Sequence, residues 1–217
     1  MIKLAVFDMD GTILDTLEDL QDSLNEILRR HGYPERTYEE VRSFVGNGIR
    51  RLIRLAVPES VTEAEVDSLL QEYLPYYQAH CAEKTKPYDG IPQLLQRLRQ
   101  AGVLTAVVSN KADAAVQKLC EDFFEGCFDA AAGETADARR KPAPDLVNKV
   151  LDMLCVTDRS EAVYIGDSEV DKATAENSEL RFIGVDWGFR GRAFLESLGA
   201  ERIADRPEDV DEFIRRM

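Results

Sequence analysis

Asp8 and Asp10 stand two residues apart at the end of the apolar run Ile2, Leu4, Ala5, Val6 and Phe7, and Gly11 and Thr12 follow at once. Two carboxylates so placed can divide labour, one attacking an electrophile while the other moves a proton. The glycine lets backbone come close to an anion. An anionic nucleophile approaching an anionic substrate needs a divalent cation between them. The chemistry that fits this spacing is phosphoryl transfer through an aspartyl-phosphate.

Such a loop must be presented by a strand, and the chain offers a set of them. Short apolar segments at Lys3–Phe7, Val103–Ser109, Phe128–Ala132, Ala162–Ile165, Phe182–Val185 and Arg202–Ala204 read as strands. Amphipathic stretches at Ile91–Gln100, Ala112–Asp122, Ala143–Leu154 and Glu169–Asn177 read as helices between them. This alternation predicts an α/β fold, a parallel sheet with helices on both faces. Thr16 to Lys86 breaks the pattern with three helical segments, Leu17–Arg30, Tyr38–Ala56 and Thr62–His80, and ends at the turn Pro87-Tyr88-Asp89-Gly90. The expected organisation is a core of residues 1–15 and 87–217 with an inserted α-helical cap, 16–86. Both connections of that cap fall beside the acidic loop, as suits a lid.

Ligands of an open parallel sheet sit beyond the carboxyl ends of its strands. There the sequence places Ser109-Asn110 and Gly166-Asp167-Ser168-Glu169-Val170-Asp171, with Arg139-Arg140-Lys141-Pro142 in a loop before a helix. Together with Asp8 to Thr12, and in this order, these motifs resemble the haloacid dehalogenase superfamily, phosphatase branch, over most of the chain. The resemblance implies a HAD-like Rossmannoid core. It makes Asp8 the nucleophile, Asp10 the general acid and base, and Lys141 the charge-neutralising cation. Ser109, with Asn110, Gly11 and Thr12, would hold the phosphoryl oxygens. It also implies Mg2+ as cofactor, bound by Asp8, the Asp10 carbonyl and Asp167, with Asp171 in its outer shell.

Within the cap, Phe44-Val45-Gly46-Asn47-Gly48-Ile49-Arg50-Arg51 interrupts a helical pattern with two glycines. This stretch, and Asp186-Trp187-Gly188-Phe189, look like the phosphoglycolate phosphatase-like subgroup. Gly46, Asn47, Gly48 and Arg50 are therefore the expected substrate contacts of the cap. Arg50 or Arg51 would offset a substrate carboxylate, or else lie solvated on a helix face. Trp187 and the cluster Tyr73, Tyr76, Tyr77 and Tyr88 read as packing aromatics.

Lys and Arg number 27 against 41 Asp and Glu, a net charge of −14, which disfavours nucleic acid and anionic lipid as partners. No apolar run approaches the ~18 residues of a membrane span. The four cysteines lack CxxC spacing, which argues against zinc and for reduced thiols in a cytoplasmic protein. The expected ligand is a small anionic phosphorylated metabolite, best matched by 2-phosphoglycolate, and the expected state a monomer or homodimer. A phosphosugar mutase and a pyrophosphatase are alternatives on the same chemistry. Mutase relatives carry an acidic residue where Gly166 stands. A C–P hydrolase would need a Schiff-base lysine, and none lies between Thr16 and Glu83. A non-catalytic binding protein on this fold is the alternative of another class.

Overall fold

The computed structural model describes all 217 residues. The chain packs as two compact units, Met1–Asp15 with Pro87–Met217, and Thr16–Lys86.

The first unit is built on strands β1 (Leu4–Phe7), β4 (Leu104–Ala112), β5 (Ala130–Glu134), β6 (Ala162–Gly166), β7 (Arg181–Val185) and β8 (Ile203–Ala204), in the spatial order β5-β4-β1-β6-β7-β8. Every pairing is parallel. β1 lies at the centre, so its residues are buried on both faces, which is why the run reads as continuously apolar. On one face Leu4, Val6, Ala106, Val108 and Ala162 pack with Leu146, Val147, Val150 and Leu151 of helix α7 (Asp145–Met153) and with Ala175 of α8 (Glu169–Asn177). On the other, Phe7 meets Phe128 edge-on, and Phe128 meets Phe124 of α6 (Asp113–Phe124). Helices α5 (Ile91–Gln100), α9 (Arg192–Ser197) and α10 (Pro207–Arg215) complete this unit.

The register positions the chemistry. Phe7 pairs with Val107 on one side and Ile165 on the other. The residues that follow these three, on neighbouring parallel strands, therefore leave the sheet at the same edge.

The second unit holds α1 (Leu17–Arg30), α2 (Tyr38–Phe44), α3 (Ile49–Ala56) and α4 (Glu63–His80). The short strands β2 (Leu14–Asp15) and β3 (Lys86–Pro87) occupy the two passages of the chain between the units. The single helix expected over Tyr38–Ala56 is two, because Gly46 and Gly48 take φ of 116° and 81°, values that no helical residue adopts. Reciprocal caps Thr37–Glu40 and Thr62–Glu65 start α2 and α4. Tyr73 and Tyr77 stack within α4, and Tyr76 stacks on His80, so these aromatics pack as expected. The unit is closed by Asp19 of α1, whose buried carboxylate accepts from the backbone N–H groups of Lys84 and Thr85 at 2.8–3.1 Å.

Asp19→Ala leaves those N–H groups without their acceptor. It is expected to cost about 2–4 kcal/mol, read as a lowered midpoint in urea unfolding followed by circular dichroism. A shift below about 0.5 kcal/mol would show that the clamp contributes nothing.

Candidate active site

Asp8 leaves β1 with its backbone N–H donating to Ile165 O at 2.9 Å, so the first residue of the loop is still tied to the sheet. The chain then turns tightly: the N–H groups of Thr12, Ile13 and Leu14 all donate to Met9 O. Gly11 sits at φ 83°, and a Cβ there would lie 2.6 Å from Asp167 Oδ2. Only glycine lets the acidic loop and the Asp167 loop close on each other.

Lys141 is the hub. Its Nζ lies 2.8 Å from Asp8 Oδ1 and 2.8 Å from Asp171 Oδ1, and donates to Tyr164 Oη at 3.0 Å. Its backbone is gripped by Asn110, which accepts from the Lys141 N–H at 2.7 Å and donates to its carbonyl at 3.1 Å. Burial disfavours the ammonium, but Asp171 and Asp8 outweigh it and hold Lys141 well above the ordinary lysine value.

The Asp167 loop is shaped by a helix start. Ser168 caps α8 reciprocally with Asp171, whose Oδ2 accepts from the Asp167 N–H, the Ser168 N–H and the Ser168 hydroxyl. Asp171 thus begins a helix with one oxygen and holds Lys141 with the other. Asp167 is fixed from the opposite side by the Phe189 N–H, which donates to its Oδ2 at 2.6 Å.

Asp8, Asp167 and Asp171 are all buried and bring carboxylate oxygens within 4.8 Å of one another. Burial, then the Asp171 charge, raises Asp8 to about 7, with Lys141 pulling the other way. Burial, Asp171 and Asp8 likewise push Asp167 well above the carboxylate range. Like charges held this close, with a single ammonium among them, fit a divalent cation. The donors are all oxygens, as hard cations require.

The structure thus brings together Asp8, Asp10, Gly11, Thr12, Ser109, Asn110, Lys141, Asp167 and Asp171 at one edge of the first unit. Ser109 is no helix cap, since α6 begins at Asp113; its buried hydroxyl accepts from the Lys111 N–H at 3.2 Å. Gly46, Asn47 and Gly48 form the break between α2 and α3 of the helical unit. Arg50 stands in the first turn of α3. Its guanidinium is engaged by Asp67 and Glu63 of α4, each at 2.7 Å, because the first turn of α3 lies beside acidic residues of α4. Trp187, half-buried, donates from its indole to Thr12 O at 3.0 Å and so buttresses the acidic loop. Arg139 and Arg140 pair with Asp145 and Glu134.

Two residues escaped sequence reasoning. Tyr164 sits in an apolar strand where tyrosine reads as core, yet its hydroxyl reaches both Lys141 and Val108 O. Lys111 pairs with Asp10 at 2.9 Å and is 3% exposed. Its signal was a cation directly after Ser109-Asn110 in a buried strand end.

Residues 5–185 match the haloacid dehalogenase-like hydrolases, and the chain belongs to that family. It is a phosphoric monoester hydrolase of the phosphoglycolate phosphatase-like group. Among its relatives, a phosphoglycolate phosphatase of Mesorhizobium japonicum is 35% identical over 89% of this chain and 86% of its own length. An N-acetylmuramic acid 6-phosphate phosphatase of Pseudomonas aeruginosa is 31% identical over 99% and 96%. A crystal structure from Lactobacillus delbrueckii subsp. bulgaricus, provisionally named phosphoglycolate phosphatase, is 44% identical with a TM-score of 0.92, covering 98% of each chain. No helix is long and apolar enough to cross a membrane.

Two predictions follow from this geometry. Asn110→Ala leaves the buried Lys141 N–H and carbonyl unpaired; it is expected to lower the melting temperature and, in protein still folded at the assay temperature, to lower kcat on a chromogenic phosphate ester by about 10- to 100-fold. Unchanged kcat would assign Asn110 to folding alone. The second concerns pH. A carboxylate whose folded pKa is raised keeps its proton while the unfolded chain loses it, so it subtracts stability as pH rises from its ordinary value of 3.8 to about 7. In chelator, Asp8→Asn should therefore gain stability relative to the wild type across that window, by up to roughly 4 kcal/mol, and level off above it. A flat difference from pH 4 to 8 would refute the shift.

Proposed function

We propose that this hydrolase cleaves the phosphate monoester of a small anionic metabolite in the cytoplasm, 2-phosphoglycolate first among candidates, through an aspartyl-phosphate on Asp8 and with Mg2+ at the carboxylate cluster. The observation that carries the reading is the convergence of Asp8, Asp167 and Lys141 beside Asp10 at one sheet edge.

In the first half-reaction an Asp8 carboxylate oxygen bonds to phosphorus as the bond from phosphorus to the alcohol oxygen breaks, and Asp10 gives that oxygen a proton. In the second, Asp10 takes a proton from the attacking water. The bond between phosphorus and Asp8 breaks, releasing inorganic phosphate and restoring the carboxylate. Lys141 offsets negative charge on Asp8 and the phosphoryl group throughout. Ser109, Asn110 and the backbone at Gly11 and Thr12 orient the phosphoryl oxygens. Asp8, Asp167 and the Asp10 carbonyl are the groups that would hold Mg2+, with Asp171 behind them; the bound ion supplies charge neutralisation for an in-line displacement.

The relatives named phosphoglycolate phosphatase support the substrate, and the Pseudomonas relative makes N-acetylmuramic acid 6-phosphate the second candidate. The Gly46-Asn47-Gly48 turn is the part of the helical unit we assign to the leaving group. A mutase is disfavoured sterically: a Cβ at Gly166 would lie 2.3 Å from Asp171 Cβ, so the acidic residue of that class has no room.

Asp8→Asn is expected to lower turnover by about 10³-fold or more while circular dichroism stays unchanged, and chelator should silence the wild type until Mg2+ is restored. Retained activity in Asp8→Asn would end the covalent mechanism. Across a panel of phosphorylated metabolites, 2-phosphoglycolate should give the highest kcat/KM. If sugar phosphates or pyrophosphate outrank it, the substrate assignment is wrong.

A further inference from the structure

We propose that the loop after β7, residues 186–190, is a strap that sets the distance between the two carboxylates receiving Mg2+, and that Trp187 is its positioning residue. This rests on the reading of Asp8 and Asp167 as the groups that hold the ion.

The strap is fastened at both ends. At one, the Asp186 N–H donates to Ala204 O of β8 at 2.9 Å, and Asp186 Oδ1 accepts from the N–H of Arg192, the first residue of α9. At the other, Arg190 pairs with Glu169, the first residue of α8, at 3.1 Å. Between these anchors three consecutive residues reach the site. Trp187 donates its indole N–H to Thr12 O at 3.0 Å. Gly188 lies against both loops: a Cβ on it would stand 2.5 Å from Gly11 O and 2.3 Å from Asp167 Cβ. The Phe189 N–H donates to Asp167 Oδ2 at 2.6 Å. The strap thus touches the acidic loop, then both loops, then the Asp167 loop.

Two carboxylates buried this close repel each other before a cation arrives. The sheet ties β1 to β6 as far as the Asp8 N–H on Ile165 O, and the strap continues that tie past the sheet edge. By donating to Asp167 Oδ2 it also fixes the plane of that carboxylate. Mg2+ demands near-ideal octahedral geometry, so its affinity depends on where the two loops are held. Groups that orient metal ligands are typically worth about 10- to 100-fold in metal affinity. Of the strap's contacts with the two loops, the Trp187 bond is made by a side chain and can be removed alone, since phenylalanine keeps a ring and lacks the N–H. Trp187 is also the single tryptophan of the chain, so its indole N–H gives one resonance.

The test reads metal binding rather than turnover. Free Mn2+ is measured by electron paramagnetic resonance for the wild type, W187F and D167N, and Mg2+ is titrated in competition. W187F should raise the dissociation constants of both ions about tenfold. If Trp187 only packs, W187F lowers the melting temperature and leaves those constants unchanged, and the proposal is overturned. If D167N binds Mn2+ as the wild type does, the metal assignment itself has failed, and the strap with it. Should W187F not fold, the proton–nitrogen correlation spectrum of the wild type decides. Its indole resonance should move as Mg2+ is added and saturate with the ion's dissociation constant, and in D167N it should stay still. A wild-type resonance that Mg2+ does not move is equally fatal, as is one that moves by the same amount in D167N.

Discussion

One ammonium group holds the catalytic edge together. Lys141 ties the end of β1 through Asp8, the start of α8 through Asp171 and the interior of β6 through Tyr164, while Asn110 of β4 fixes its backbone. Removing a buried ammonium from such a cluster leaves carboxylates facing one another with no compensation, which is far worse than losing an exposed ion pair. The same crowding makes the edge receptive: four carboxylates, Asp8, Asp10, Asp167 and Asp171, face two lysines, and the excess negative charge is what a divalent cation would balance. Charge balance and sheet register are thus two halves of one arrangement, because the parallel pairing of Phe7 with Val107 and Ile165 delivers the charged residues to the same place.

Much of this was legible in the sequence because the loops are short and local. Asp8 and Asp10 follow a strand with no intervening residues to blur their position. Ser168-Glu169-Val170-Asp171 is a helix start that announces itself by spacing. The strands and most helices were readable from apolar runs, since a central parallel sheet leaves few polar residues in its interior. What was not legible depends on contacts between distant segments. Nothing in Ala162-Val163-Tyr164-Ile165 tells a core tyrosine from one whose hydroxyl meets a lysine 23 residues away. Lys111 reads as a polar strand end until Asp10 is found opposite it.

Arg50 shows how little a lone arginine says in sequence. Its ion pairs are set by whichever carboxylates lie nearest, and here α4 supplies Glu63 and Asp67. The break itself was visible from its two glycines, whereas the direction of α3 against α4 was not.

The closure of the helical unit by Asp19 bears on how such a protein can change over time. Because Asp19 fastens α1 to the returning chain at Lys84 and Thr85, that unit carries its own stability reserve. Substitutions in the loops of that unit draw on this reserve, separate from the strand packing that builds the catalytic unit. Such a separation lets one part of a chain vary while another is kept, in a family whose members, at similar distances from this chain, bear the names of different substrates.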